Sequence, residues 1–314
     1  MRSNKKNGSV NEKAVLASEL YYLYNLSQDE IAKHLGVSRP WVSKLLKFAE
    51  DTGIIRIEVM TPTSGISEME SALENRFKIK KAKVIKSIPG MDHMANIGRA
   101  AANYIISILK PDDMIGVSWG YTLSYVANAF IPLHYPNVKV LPLIGGLGKN
   151  PEILGNQIAS KIANALGAQH NLLHVPAFAV GASERDIFLQ DPSTADIIKK
   201  GENVDIAILG LGALHQSTIY QHQYISQQEI DELEKMGAVG DIALAFIDQK
   251  GVKIDHPINN RLIAADLLVV RKNAREIIGI AIDRHKVAVI RAALEGNWLD
   301  VLVTDDATAK ELLQ

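Results

Sequence analysis

The chain has 314 residues, 47% of them hydrophobic and 22% charged, with a formal net charge of −1 at pH 7. That length suits a small head and a body of roughly 250 residues, and the absence of cysteine excludes disulfides, thiolate metal sites and cysteine nucleophiles. The N-terminal MRSNKKNGSVNEK is polar rather than a signal peptide and no apolar run approaches the ~18 residues of a membrane helix, so no membrane partner and a cytoplasmic location are expected.

In chain order, the first strong signal is SQDEIAKHLGVSRPWVSKLLK, residues 27 to 47. Ser27 and Glu30 form a capping box at a short helix, and Ile31, Ala32 and Leu35 share its inner face. Gly36 ends that helix where a left-handed backbone suits a residue without Cβ, and Ser38 is expected to cap a second helix two residues on. Val42, Leu45 and Leu46 make the buried stripe of the second helix, against Ala32 and Gly36. Its other face carries Arg39, Trp41, Ser43, Lys44 and Lys47 and no carboxylate. With Ser38, these residues suit double-stranded DNA: Arg and Ser bond base edges, and Lys neutralises phosphates. A helical hairpin with a polar outer face is the alternative. The alternating GIIRIEV that follows reads as a wing. Residues 1 to 60 hold nine Lys or Arg against seven Asp or Glu, leaving −3 on the remainder, so nucleic-acid contact belongs to the head and needs dimerisation for useful affinity. The expected division is a head over 1–60, a linker over 61–65 (TPTSG) and a body over 66–314.

In the body, helical patterns (ISEMESALENRF, DHMANIGRAAANYIISIL, PEILGNQIASKIANAL) alternate with short apolar strands (KAKVIK, DMIGVSW, VKVLPLI, NLLHVPA, VDIAILGLG, IIGIAI, DVLVTD). This predicts a parallel sheet covered on both faces. A hairpin over ALAFIDQKGVKID interrupts it, with a turn at Gln249 to Gly251.

Ligands of open parallel sheets bind beyond the carboxyl ends of the strands. After DMIGV come Ser118, Trp119, Gly120, Tyr121 and Thr122, whose backbone N–H groups and hydroxyls suit a phosphate or a hydroxyl-rich ligand at a helix start; a tight turn at Gly120 with Trp119 in the core is the alternative. Gly145 and Gly146 follow VKVLPLI as a second backbone-permissive corner. Asp241 puts a carboxylate at the start of an apolar strand, either to accept from sugar hydroxyls or to cap a loop. Arg284, His285 and Lys286 crowd a helix start that favours acids, a conflict a bound anion would remove and solvent exposure would also explain. The nine His lack metal-ligand spacing, and no G-x-S-x-G elbow or GK[ST] loop is present, so neither a catalytic residue nor a metal or cofactor is expected.

Taken in order, LSQDEIAKHLGVSRPWVSKLL, GVSWG, PLIGG, VDIAILGLG, GAVGDI, the Lys286 region with IRAALEG, and LVTDDATAKELL resemble the SorC/DeoR-type bacterial sugar-responsive transcriptional regulators across the whole chain. The resemblance implies an α/β fold: an N-terminal winged helix-turn-helix, then a doubly wound, mostly parallel sugar-binding domain similar to sugar-phosphate isomerases and deaminases. It implies control of a hexose or polyol catabolic operon through operator DNA and a sugar, polyol or sugar-phosphate effector, by a homo-oligomer (a tetramer or dimer of dimers). It also places the effector pocket at Ser118, Trp119, Gly120, Thr122, Gly145, Gly146, Gln157, Asp241 and Lys286. Ile144 and Ile282-Asp283 depart from the deoxyribonucleoside and glycolytic branches and point to the sorbose/sorbitol branch. The competing reading is an isomerase- or deaminase-like enzyme with an appended helical head.

Overall fold

The computed structural model describes residues 4–55, 65–146, 151–217, 220 and 224–314, with side chains from residue 10 onward. Its contacts divide into two units, Met1–Pro62 and Thr63–Gln314.

In the first unit, helices α1 (Asn4–Ser18), α2 (Gln28–Leu35) and α3 (Arg39–Asp51) enclose one small core. No strong periodicity announces α1, which continues as a π-helical turn over Glu19–Leu23 and contributes Ala14, Ala17 and Leu20 to that core beside Ile31, Ala32, Val42, Leu45, Leu46 and Ala49. The Ser27/Glu30 capping box is present, and Gly36 adopts φ 63° and ψ 37°. Ser38 departs from expectation: its backbone is extended at the start of α3, yet its side chain makes no capping bond. Pro40, second in the helix, has no N–H to offer, and the Trp41 N–H donates to the Ser38 carbonyl instead, at 2.9 Å. Ile54 and Ile55 pack against the core. Residues 56–59 of the expected wing and 61–64 of the expected linker lie outside the described residues, and Gly65, assigned to that linker, opens α4 (Gly65–Phe77).

In the second unit, the chain order is α4, β1 (Lys81–Ile85), α5 (His93–Ile108), β2 (Met114–Val117), α6 (Tyr121–Asn128), β3 (Lys139–Pro142), α7 (Gly155–Leu166) and β4 (Gln169–His170), then α8 (Ala182–Gln190), α9 (Pro192–Gly201) and β5 (Ile206–Ala213). After these come α10 (Gln227–Lys235), β6 (Ala238–Ile242), β7 (Ala245–Asp248), α11 (Leu267–Asn273), β8 (Glu276–Ile280), α12 (Val287–Glu295), β9 (Val301–Asp305) and α13 (Asp306–Leu313). The main sheet runs β1-β9-β8-β5-β2-β3-β4, with every neighbouring pair parallel. Alternate residues of β5 serve opposite faces: Ile206 and Ile208 pack with α5, α6 and α7, whereas Ala207 and Leu209 pack with α4, α10 and α12. Both faces are buried, hence the nearly continuous apolar runs in the sequence.

Two expectations need correction. NLLHVPA is not a strand; only Gln169 and His170 extend the sheet beyond β3. The Asn156 side-chain amide instead holds the backbone N–H and carbonyl of Leu173, at 2.9 and 3.0 Å, so the chain there is fixed by a side chain rather than by a ladder. The turn at Gln249 to Gly251 exists, with the Gly251 N–H donating to the Asp248 carbonyl, but the principal hairpin pairs β6 with β7. Asp241 is therefore the fourth residue of β6, opposite Gly212 of β5, and does not start a strand.

Candidate functional site

On α3, Ser38, Arg39, Trp41, Ser43, Lys44 and Lys47 are all exposed, while Val42, Leu45 and Leu46 face the core. Arg39 Nε lies 3.9 Å from a carboxylate oxygen of Asp29 on α2, with both side chains about two-thirds exposed. A solvated pair of this kind is worth little and releases its guanidinium at small cost.

In the second unit, the strand connections reverse direction between β2 and β5. From β2 the chain winds outward through β3 and β4; from β5 it winds the other way through β8 and β9. Sheets of this kind leave a crevice at that switch point, and a cavity of about 180 Å³ opens there. Small beside the ~300 to 1,000 Å³ pockets of drug-sized ligands, it suits a compact one. Its lining joins Ser118, Trp119, Gly120, Tyr121 and Thr122 after β2 to Gly210, Leu211 and Gly212 at the end of β5. Gln216, Ser217, Asp241, Ala243, Asp283, His285, Lys286 and Met94 complete the wall.

The local chemistry explains the shape. The Gly210 N–H donates to Ser118 Oγ at 3.0 Å and the Ser118 N–H donates to the Ile208 carbonyl at 3.0 Å, stitching β2 to β5 beneath the cavity. Gly120 has φ 125° and open space where a Cβ would point; its N–H donates to the Ile153 carbonyl at 2.8 Å. The backbone donors of Ser118 and Gly120 are thus already used, contrary to the expectation that this loop cradles a ligand through them; α6 starts without a side-chain cap, and the Ser118 hydroxyl proton and the Thr122 hydroxyl face the same cavity. Trp119 both fills core, packing at a tilt against Tyr224 with ring centroids 5.2 Å apart, and lines the cavity.

Asp241 is only 5% exposed. One of its oxygens accepts from the Leu244 N–H at 3.0 Å, and a Cβ at Gly212 would fall 2.3 Å from the other, so the glycine makes room for the acid. Burial pushes the Asp241 carboxyl up to about 7, against smaller opposing effects from the Leu244 N–H and the charge of Lys286. Burial likewise lowers Lys286, while the charges of Asp283 and Asp241 hold it up. Among the described residues no carboxylate lies within 4.0 Å of the Lys286 ammonium.

Of the nine residues expected in the pocket, Ser118, Trp119, Gly120, Thr122, Asp241 and Lys286 converge on this cavity; Gly145, Gly146 and Gln157 are not among its described lining. A Cβ on Gly145 would meet the Pro176 carbonyl oxygen at 2.3 Å, and Gln157 is an exposed residue of α7. The reading missed Gly210, Gly212, Gln216 and Ser217, although the glycines of VDIAILGLG stand at a strand's carboxyl end and could have marked it. The described residues hold no group of three or more His, Cys, Asp or Glu placed to bind a metal ion, and no helix among them is long and apolar enough to cross a membrane.

A doubly wound sheet with a small polar cavity at its switch point defines a ligand-binding α/β domain, joined here to a three-helix unit. The chain belongs to the family whose model is described as "Putative sugar-binding domain", which matches residues 61–314. It is 31% identical to the deoxyribonucleoside regulator of Bacillus subtilis (strain 168) over 306 residues, covering 96% of each chain. It is 29% identical to the sorbitol operon regulator of Klebsiella pneumoniae over 308 residues, covering 96% of this chain and 97% of that one. The crystal structure of the full-length sorbitol operon regulator SorC from Klebsiella pneumoniae superposes with a TM-score of 0.80 at 28% identity, covering 96% and 98% of the two chains. Each of these relatives is named as a regulator.

Proposed function

We propose that the chain is a cytoplasmic DNA-binding transcriptional regulator of a hexose or polyol catabolic operon, with operator affinity controlled by a sugar, polyol or sugar-phosphate effector. The first unit acts as a winged helix-turn-helix, with Ser38, Arg39, Trp41, Ser43, Lys44 and Lys47 toward DNA; the switch-point cavity holds the effector. The observation that carries this reading is the exposed run of Arg39, Trp41, Ser43, Lys44 and Lys47 on α3, with acids only at the helix's last two residues, Glu50 and Asp51, in a chain similar from end to end to named regulators. One recognition helix with three cations binds weakly at physiological salt, so the working form is a homo-oligomer, a tetramer or dimer of dimers, that sets two heads on a palindromic operator.

Footprinting and salt titration of the full chain test it. Arg39→Ala is expected to cost about 1 to 3 kcal/mol and relax specificity at one base pair, whereas Lys47→Ala weakens all sequences alike and flattens the salt dependence. Wild-type binding by both variants would remove α3 from the interface. Sustained turnover of aldose or ketose phosphates by the purified chain would instead establish an enzyme.

A further inference from the structure

The cavity carries a carboxylate where its backbone alone would ask for glycine. Asp283 has φ 90° and ψ 141°, beyond the left-handed helical region that Asp and Asn tolerate through local hydrogen bonds. Its side chain caps nothing at the following helical turn. Strained backbone of this kind persists at sites where the surroundings impose it. Asp283 also lines the cavity and acts on Lys286 by charge.

We propose that Asp283 makes this cavity select an uncharged polyhydroxylated ligand, a sugar or polyol without a phosphoryl group. The inference rests on the effector reading above and narrows it. Among the described lining, two acids, Asp241 and Asp283, stand with one ammonium, Lys286, and one imidazole, His285. Both act on that ammonium by charge, so part of its charge is answered before any ligand arrives. A phosphoryl group would bring further negative charge into a space where burial strengthens each repulsion. The hydrogen-bonding inventory points the same way. Carboxylates only accept, and a deprotonated phosphoryl group only accepts, whereas each hydroxyl of a polyol both donates and accepts. A polyol can therefore donate to Asp283, donate to or accept from Asp241 according to its proton, and accept from Lys286.

The test titrates the full chain, Asp283→Gly and Asp283→Asn by calorimetry at neutral pH. The probes are inorganic phosphate and matched pairs of ketohexoses and hexitols, each with and without a terminal phosphate. The wild type is expected to give no saturable signal with phosphate, and both variants to acquire one. Within the best-bound pair, preference should move toward the phosphorylated member by about tenfold or more, the scale of one charge-assisted hydrogen bond. Adding Lys286→Ala to either variant should abolish the gain. Glycine relieves the strain and asparagine keeps the side chain's size, so two variants with unchanged melting temperature and still no response to phosphate would overturn the proposal. Saturable phosphate binding by the wild type would overturn it directly. Release of operator DNA is scored separately: a phosphorylated effector that releases operator defeats this inference and leaves the regulator standing, while ligand binding without any effect on operator defeats the regulator reading alone.

Discussion

Two corners at the carboxyl end of the sheet turn on glycine, and they have opposite interiors. At the end of β3, the Gly145 N–H donates to the Ile263 carbonyl at 2.9 Å, and the carbonyl oxygens of Pro176 and Val175 stand 2.3 and 2.9 Å from where a Cβ would be. Past the end of β2, Gly120 has no atom of the described residues beyond its chain neighbours within 4 Å of its Cβ position and opens on the cavity. One glycine lets two backbones close; the other keeps a space from closing. The closed corner is satisfied by backbone bonds alone. The open corner must leave polar groups short of partners, and Asp241 and Lys286 carry that cost in burial-shifted protonation.

The largest effect that would break this contrast is at the closed corner. Gly145→Ala drives a methyl into backbone that cannot rotate away, so unfolding free energy should fall by about 3 kcal/mol or more, the upper end of overpacking costs. Urea unfolding of the full chain measures it; a loss below about 1 kcal/mol would mean that the corner is looser than its contacts.

Second is the pH response of the open corner. The folded pKa of Asp241, about 7, exceeds its ordinary value of 3.8, so the native state keeps a proton that the unfolded chain has released. Its contribution is full below 3.8 and is lost as pH rises through 7, at no more than ~1.4 kcal/mol per pH unit. Asp241→Asn, which retains an acceptor for the Leu244 N–H, should therefore gain stability relative to wild type between pH 5 and 8, as read from urea midpoints. Parallel curves for the two proteins would show that the acid is solvated.

The smallest effect sharpens the comparison. Gly120→Ala meets no described neighbour, and should cost about 1 to 3 kcal/mol through a backbone conformation that is essentially glycine-only, leaving the fold intact while altering ligand affinity at the cavity mouth. Calorimetry beside a melting curve separates the two. A loss of stability matching that of Gly145→Ala would erase the distinction between the corners.

These corners also mark how far sequence carries. Both read as Gly after an apolar run, and nothing within a few residues separates them, because the atoms that decide are Pro176 and Val175 in one case and an empty volume in the other. Local signals held where their chemistry was local: the Ser27–Glu30 box, Gly36, and the apolar β-runs buried on both faces. The same Ser-x-x-Glu spacing recurs at Ser226 and Glu229, which form a second capping box at α10. Asp241 was found because an acid interrupts an apolar run, but its place in β6 depends on pairing with Gly212, 29 residues away by number. Asp283 stands out only as a departure from the resembled family; its positive φ has no signature in a residue with a side chain.

The turn between β6 and β7 consists of Ala243 and Leu244, with φ of 49° and 70°, a geometry that hairpins usually entrust to Asn and Gly. Its Leu244 N–H is held by the cavity's acid. The carboxylate at the cavity floor is therefore also the clasp of a reluctant bend, and a hydroxyl arriving there competes for an oxygen the bend depends on. If the cavity holds the proposed effector, the exchange rate of one amide hydrogen, that of Leu244 outside the cavity's described lining, should change with ligand occupancy.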